Sequence, residues 1–118
     1  VLRDCFFDQT ALEEQDVEEV FATLDSKEAK EALCQSIQNF DDEEVITNLR
    51  KIPNSVLFFW GGDDKWRPIE EADDYIAPIE NSDVIQIRNC GHLLHEEKPE
   101  KFNSETIAFL MGEPSPLP

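Results

Sequence analysis

Two residues of this chain stand where acid–base chemistry would need them. Asp64 follows an apolar run that ends in Trp60-Gly61-Gly62-Asp63, and His92 follows a second such run through Asn89-Cys90-Gly91. A carboxylate at the end of one strand and an imidazole after the next can orient a general base and stabilise the charge it gains. They lie 28 residues apart, about the length of one helix and one strand. Asp63 is the rival acid, and its one-residue offset aims its side chain elsewhere. Either aspartate alone also reads as a turn carboxylate accepting nearby backbone amides. His92 alone reads as a loop residue after a glycine, so only the joint pattern favours chemistry.

Other reactive side chains fit less well. Cys90, His92, His95 and Glu96 are all potential metal ligands, but the spacing H-x-x-H-E is not H-E-x-x-H, and Gly91 places His92 in a loop and not on a helix. No metal and no cofactor are expected. Cys90 stands too close to His92 on one loop for the two to face each other as nucleophile and base. Trp60 and Trp66 could line a substrate pocket or simply pack core, and His95 is placed over the same loop. Trp66 and His95 are the candidate substrate-binding residues.

The elements that must position these groups follow from periodicity. Helical spacing recurs in Val17, Val20, Phe21 and Leu24, then in Ala29, Leu33, Ile37 and Phe40, then in Val45, Ile46 and Leu49. Thr10 and Glu13 have the spacing of a capping box for the first helix, Asp41 and Asp42 begin the third, and Pro53 stops it. The acidic outer faces read as solvated surface, since no run has the spaced oxygens and central glycine of a calcium loop. Val56 to Trp60 is a continuous apolar run of the kind buried on both faces of a parallel sheet. A helix is expected from Pro68 to Ile79, a strand over Val84 to Ile87, and a last helix from Pro99 through Phe102, Thr106, Phe109 and Leu110. The division is a helical segment at 1–50, an α/β segment at 51–112 and a flexible tail at 113–118.

Composition narrows the function classes. With 27 acidic and 10 basic residues the formal charge is −17, which repels phosphate backbones and anionic lipid, so neither nucleic acid nor membrane is expected as a partner. The longest apolar run, Val56 to Trp60, is far short of the roughly 20 residues of a membrane span. Three cysteines without C-x-x-C spacing argue against a disulfide framework and for a reducing compartment, hence a cytoplasmic location. Two strands are few for a sheet whose usual complement is about 4 to 6. The chain is therefore expected to be part of a larger domain or to meet a partner chain, and its first residue, Val1, suggests a processed or excised piece.

Several of these features together resemble the C-terminal portion of a cap-bearing α/β-hydrolase. Leu49-Arg50-Lys51-Ile52-Pro53 is similar to the entry into the penultimate strand of that family, and Trp60-Gly61-Gly62-Asp63-Asp64 to its acid turn. Asn89-Cys90-Gly91-His92 is similar to its histidine loop, and Glu97-Lys98-Pro99-Glu100-Lys101-Phe102-Asn103 to its closing helix. The helices of residues 10 to 52 match the end of a cap more loosely. The resemblance implies Asp64 as triad acid and His92 as general base, in the family's order of nucleophile, acid, histidine. It implies hydrolysis of a small ester, amide, thioester, epoxide or halide. The nucleophile would come from a missing N-terminal half or a partner chain, because Ser26, Ser36, Ser55, Ser82, Ser104 and Ser115 all lack the glycines of G-x-S-x-G. The alternative is a non-catalytic fragment or interaction subunit with a degenerate hydrolase fold.

Overall fold

The computed structural model of the chain describes residues 2–116. Three helices form the first half: α1 (Glu14–Thr23), α2 (Lys27–Gln38) and α3 (Asp42–Leu49). Each has a side-chain start signal. Ser26 Oγ accepts the Ala29 amide at 3.0 Å for α2, and Asp41 Oδ1 accepts the Glu43 and Glu44 amides at 3.0 and 3.1 Å for α3. The capping box of α1 differs from the expected pair. Glu13 occupies the cap position, and Asp16 Oδ2 accepts its amide at 2.8 Å, while the Thr10 hydroxyl donates to Asp8 at 2.6 Å within a preceding 3₁₀ turn, Gln9–Ala11. That turn closes before the helix starts, so Thr10 is already engaged upstream.

The sheet has two parallel strands, β1 (Val56–Gly61) and β2 (Ser82–Ile87), in a register that pairs Val56 with Ser82 and Gly61 with Ile87. β2 therefore starts two residues earlier than its apolar run, since Ser82 is already on the ladder. Between the strands, the helix expected over 68–79 is shorter: a 3₁₀ turn Ile69–Glu71 leads into α4 (Ala72–Ile76). Pro78 explains the early stop, because it has no amide hydrogen to continue the helix and its ring clashes with the turn before it. After β2 come α5 (Leu94–Glu97), a single turn not foreseen from the sequence, and α6 (Pro99–Met111), which begins at the expected proline.

Residues alternate across β1, so its side chains meet different neighbours on its two faces. Phe59 stacks near Phe102 of α6, with ring centroids 4.5 Å apart, while Trp60 on the other face lies 6.2 Å from Tyr75 of α4. The strand was expected to be buried on both faces. Val56 to Trp60 are only partly buried, and Gly61 alone is fully so. The helical stripes are thinner cover still: no residue of α1, α2 or α3 is buried, and Phe21 and Ile37 are 70% and 68% exposed. An apolar stripe is buried only against a second layer, and a two-stranded sheet supplies little of one.

Among the described residues two small buried clusters remain. Ile87, Cys90 and Leu94 pack with Phe59, Ile85 and Phe102, and Cys5, Phe6 and Leu12 pack with Leu2 and Leu93. The loop between β2 and α5 contributes to both, through Cys90 on one side and Leu93 on the other. Of the expected tail, Ser115 donates to Glu105 on α6 at 2.8 Å, and residues 117 and 118 lie outside the described residues, as does residue 1. Among the described residues no helix is long and apolar enough to cross a membrane.

Candidate active site

The end of β1 and the end of β2 converge on one point. Beyond the ladder the Gly62 amide donates to the Ile87 carbonyl at 2.8 Å, and the Asp63 amide to the Cys90 carbonyl at 2.9 Å. The acid turn is thereby sewn to the histidine loop. Gly61 permits this approach, since a Cβ there would collide with the carbonyl oxygens of Gly91 and Cys90. Gly91 is equally confined by the backbone of Cys5 and Phe7.

Asp64 and His92 meet at this junction. Asp64 Oδ2 lies 2.8 Å from His92 Nδ1, with the carboxylate side chain 6% exposed and the imidazole 39%. The second oxygen of Asp64 accepts the Trp66 amide at 2.8 Å and the Arg67 amide at 3.0 Å. The carboxylate is thus a turn residue and an imidazole partner at once, through different oxygens. Two backbone donors on Oδ1 fix its plane and aim Oδ2 at the ring. With Nδ1–H donating to Asp64, Nε2 carries the lone pair that could take a proton.

Asp63 serves another purpose. Its Oδ2 accepts the Asn89 amide at 3.0 Å, which braces a residue held at φ 52°, a left-handed conformation that Asn tolerates better than most residues. The two adjacent aspartates therefore divide the junction: one holds the start of the histidine loop and the other faces the histidine.

Trp66 is close, with its ring centroid 5.8 Å from that of His92 and the planes 31° apart. His95 points elsewhere. Its ring lies 6.0 Å from Phe102, and its Nε2 is 3.8 Å from Glu96. The structure thus brings Asp64, His92 and Trp66 together and leaves His95 on α5 outside the group. A small cavity of about 130 Å³ opens beside them, lined by Phe59, Trp60, Gly61, Asp64, Arg67, His92 and Leu94. Trp60 lines it while donating its indole N–H to the Arg67 carbonyl at 2.7 Å.

Cys90 is fully buried, and burial, reinforced by the charge of Glu97, pushes its thiol up to about 11. At neutral pH it is a protonated core thiol and no nucleophile. Among the described residues no group of three or more His, Cys, Asp or Glu side chains is arranged to hold a metal ion.

Some contributors were not foreseen. Glu97 accepts the Gly91 amide at 2.6 Å through one oxygen and the Phe7 and Asp8 amides at 3.0 and 3.2 Å through the other. The Cys5 carbonyl accepts the His92 amide at 2.7 Å. A carbonyl leaves no trace in side-chain identity, and Glu97 was legible only as part of a helix start. Arg67 bridges Glu71 at 3.3 Å and Asp42 at 3.4 Å and stacks over Tyr75, tying α3 to the segment after the acid turn. Asp42 also accepts the Tyr75 hydroxyl at 2.8 Å, which holds that phenol above its ordinary value.

Comparison with known proteins bears on this geometry. No protein-family model matches the chain. Among curated proteins it is 39% identical over 71 residues to 2-hydroxy-6-oxo-6-(2'-aminophenyl)hexa-2,4-dienoic acid hydrolase of Metapseudomonas resinovorans, covering 60% of this chain and 23% of that one. It is 32% identical over 69 residues to monoacylglycerol lipase ABHD6 of Rattus norvegicus, covering 58% and 20% of the two chains. A solved structure, a serine hydrolase involved in carbazole degradation, superposes with a TM-score of 0.78 at 23% identity, over 95% of this chain and 45% of that one. The chain has part of the α/β-hydrolase fold, and the relatives it matches over part of their length are α/β-hydrolases. It spans less than half of the α/β-hydrolases it matches, 23% of the first, 20% of the second and 45% of the solved one. Its two parallel strands and flanking helices correspond to part of that fold.

Proposed function

We propose that this chain supplies the acid and the general base of an α/β-hydrolase, with Asp64 as triad acid and His92 as base. The observation that carries the reading is the 2.8 Å contact between a buried, doubly anchored carboxylate and His92 Nδ1. In this role His92 Nε2 takes the proton of a hydroxyl nucleophile as it attacks a carbonyl carbon, then returns it to the leaving group. Asp64 holds the tautomer and stabilises the imidazolium. Where the nucleophile is an aspartate, His92 instead activates the water that opens the ester intermediate.

The nucleophile and oxyanion donors lie in an N-terminal half or partner chain outside these 118 residues. Helices α1 to α3 are the end of the cap, Arg67 borders the substrate-side cavity, and Trp66 lies against His92, which lines it. The substrate is a small ester, amide, thioester, epoxide or halide, and the names of the relatives add oxo-dienoic acids and monoacylglycerols to the classes to assay. Three cysteines without C-x-x-C spacing accord with a cytoplasmic enzyme.

The test uses the complete protein containing this chain, assayed on p-nitrophenyl acetate and on an oxo-dienoic acid. Turnover that disappears in His92→Ala is expected. Turnover unaffected by that substitution, with the variant folded, would refute the assignment and leave the non-catalytic interaction subunit as the reading.

A further inference from the structure

We propose that Glu97 is a positioning residue for His92, a carboxylate that clamps the histidine loop and residues 5–8 together and so keeps the imidazole on Asp64. The proposal rests on the reading of His92 as the base and adds the group that holds it.

The loop from Asn89 to Leu93 has no regular secondary structure of its own, yet four of its amides are bound to groups outside it. Asn89 donates to Asp63, Gly91 to Glu97 Oε1 at 2.6 Å, and His92 and Leu93 to the Cys5 carbonyl at 2.7 and 3.3 Å. The Cys5 carbonyl can bear on the loop only while residues 5–8 stay beside it. Glu97 Oε2 holds them there, accepting Phe7 at 3.0 Å and Asp8 at 3.2 Å. One carboxylate thus binds the loop directly and secures the segment that binds it a second time.

The chemistry requires a carboxylate. Three N–H donors converge on the side chain, and only an acceptor-only group can satisfy them from both of its oxygens. Glutamine would turn an NH₂ toward Gly91 or toward Phe7 and Asp8, setting donor against donor. Bonds to an ionised acceptor are also stronger than neutral ones. The position is sterically closed, since Gly91 has no room for a side chain beside the Cys5 carbonyl. Release of Glu97 therefore frees the stretch that aims His92, while the Asp64 turn keeps its own anchors at Trp66 and Arg67.

The experiment is NMR on the ¹⁵N-labelled complete protein containing this chain, comparing the unsubstituted form with Glu97→Gln, Glu97→Ala and Asp41→Ala. The last removes a remote helix cap and so controls for lost stability alone. In both Glu97 variants the Gly91, Phe7 and Asp8 amides are expected to exchange about 10- to 100-fold faster, the range for losing a bond to a charged acceptor. The downfield His92 Nδ1–H resonance, which marks its bond to Asp64, is expected to broaden or vanish there and to persist in Asp41→Ala. A His92 resonance unchanged in folded Glu97 variants overturns the proposal while leaving His92 as base. Loss of fold in both Glu97 variants also overturns it, because the carboxylate then holds the fold and not the loop. Absence of the resonance from the folded, unsubstituted protein removes the assignment of His92 itself, and this proposal with it.

Discussion

Replacing Asp64 with asparagine tests the site at its narrowest point. Asparagine keeps one oxygen for the Trp66 and Arg67 amides, so the turn survives and the expected loss of stability is below about 1.5 kcal/mol. What changes is the group facing Nδ1. An NH₂ there meets an N–H donor, and the imidazole relieves the conflict by moving its proton to Nε2, which removes the lone pair that takes the nucleophile's proton. The substitution also deletes the charge opposite the imidazolium. At a separation of charge centres of about 4 Å and an effective dielectric of about 20, that interaction is about 4 kcal/mol, or about three powers of ten in rate. Exposure of the imidazole, at 39%, screens part of it, whereas the tautomer change acts in the same direction as the lost charge. A fall in kcat of about 10³ to 10⁴ is the net expectation for the complete enzyme.

The assay pairs kcat on an ester substrate with the ¹⁵N shifts of His92, which report the tautomer directly. Asp63→Asn is the comparator: its oxygen can still accept the Asn89 amide, so a rate within about tenfold of the unsubstituted enzyme is expected. A kcat for Asp64→Asn within tenfold, or equal losses in the two variants, would refute the reasoning.

Three further outcomes follow from the packing. Gly61→Ala forces a Cβ onto the Gly91 and Cys90 carbonyls, and a loss of about 3 kcal/mol or more in urea denaturation is expected, with no such loss if the two turns can separate freely. The Cys90 thiol is raised from about 9 to about 11, so the folded state holds its proton more tightly than the unfolded chain. Its contribution is complete below pH 9 and lost between pH 9 and 11, about 2–3 kcal/mol in all; denaturation midpoints across that range, compared with Cys90→Ala, should show the extra slope only in the parent. At pH 7.5 iodoacetamide should modify the exposed Cys34 and spare the buried Cys5 and Cys90, as peptide mass mapping would reveal.

Much of the fold was legible because periodicity and punctuation agree. Ser26 and Asp41 cap helices whose apolar spacing already marked them, and Pro99 opens α6. The misplacements share a cause: a local signal was read without its competitor. Thr10 has capping spacing but donates first to Asp8, and Ile79 continues a helical stripe that Pro78 has already ended. Burial was overestimated for a different reason. The apolar content of Val56 to Trp60 states what the strand can bury, and the layers that would bury it are set by tertiary partners.

The site divides the same way. The pairing of Asp64 with His92 was legible because side-chain chemistry and strand ends are both written in the sequence, while Glu97 and the Cys5 carbonyl act through backbone amides that any residue carries. The turn reading of Asp64 and its proposed role as triad acid do not exclude each other. A carboxylate has two oxygens, and here the turn amides take one and His92 faces the other. The structural role is the condition for the proposed chemical one: without the amides of Trp66 and Arg67 the carboxylate plane is free to rotate, and Oδ2 has no fixed direction in which to hold the imidazole.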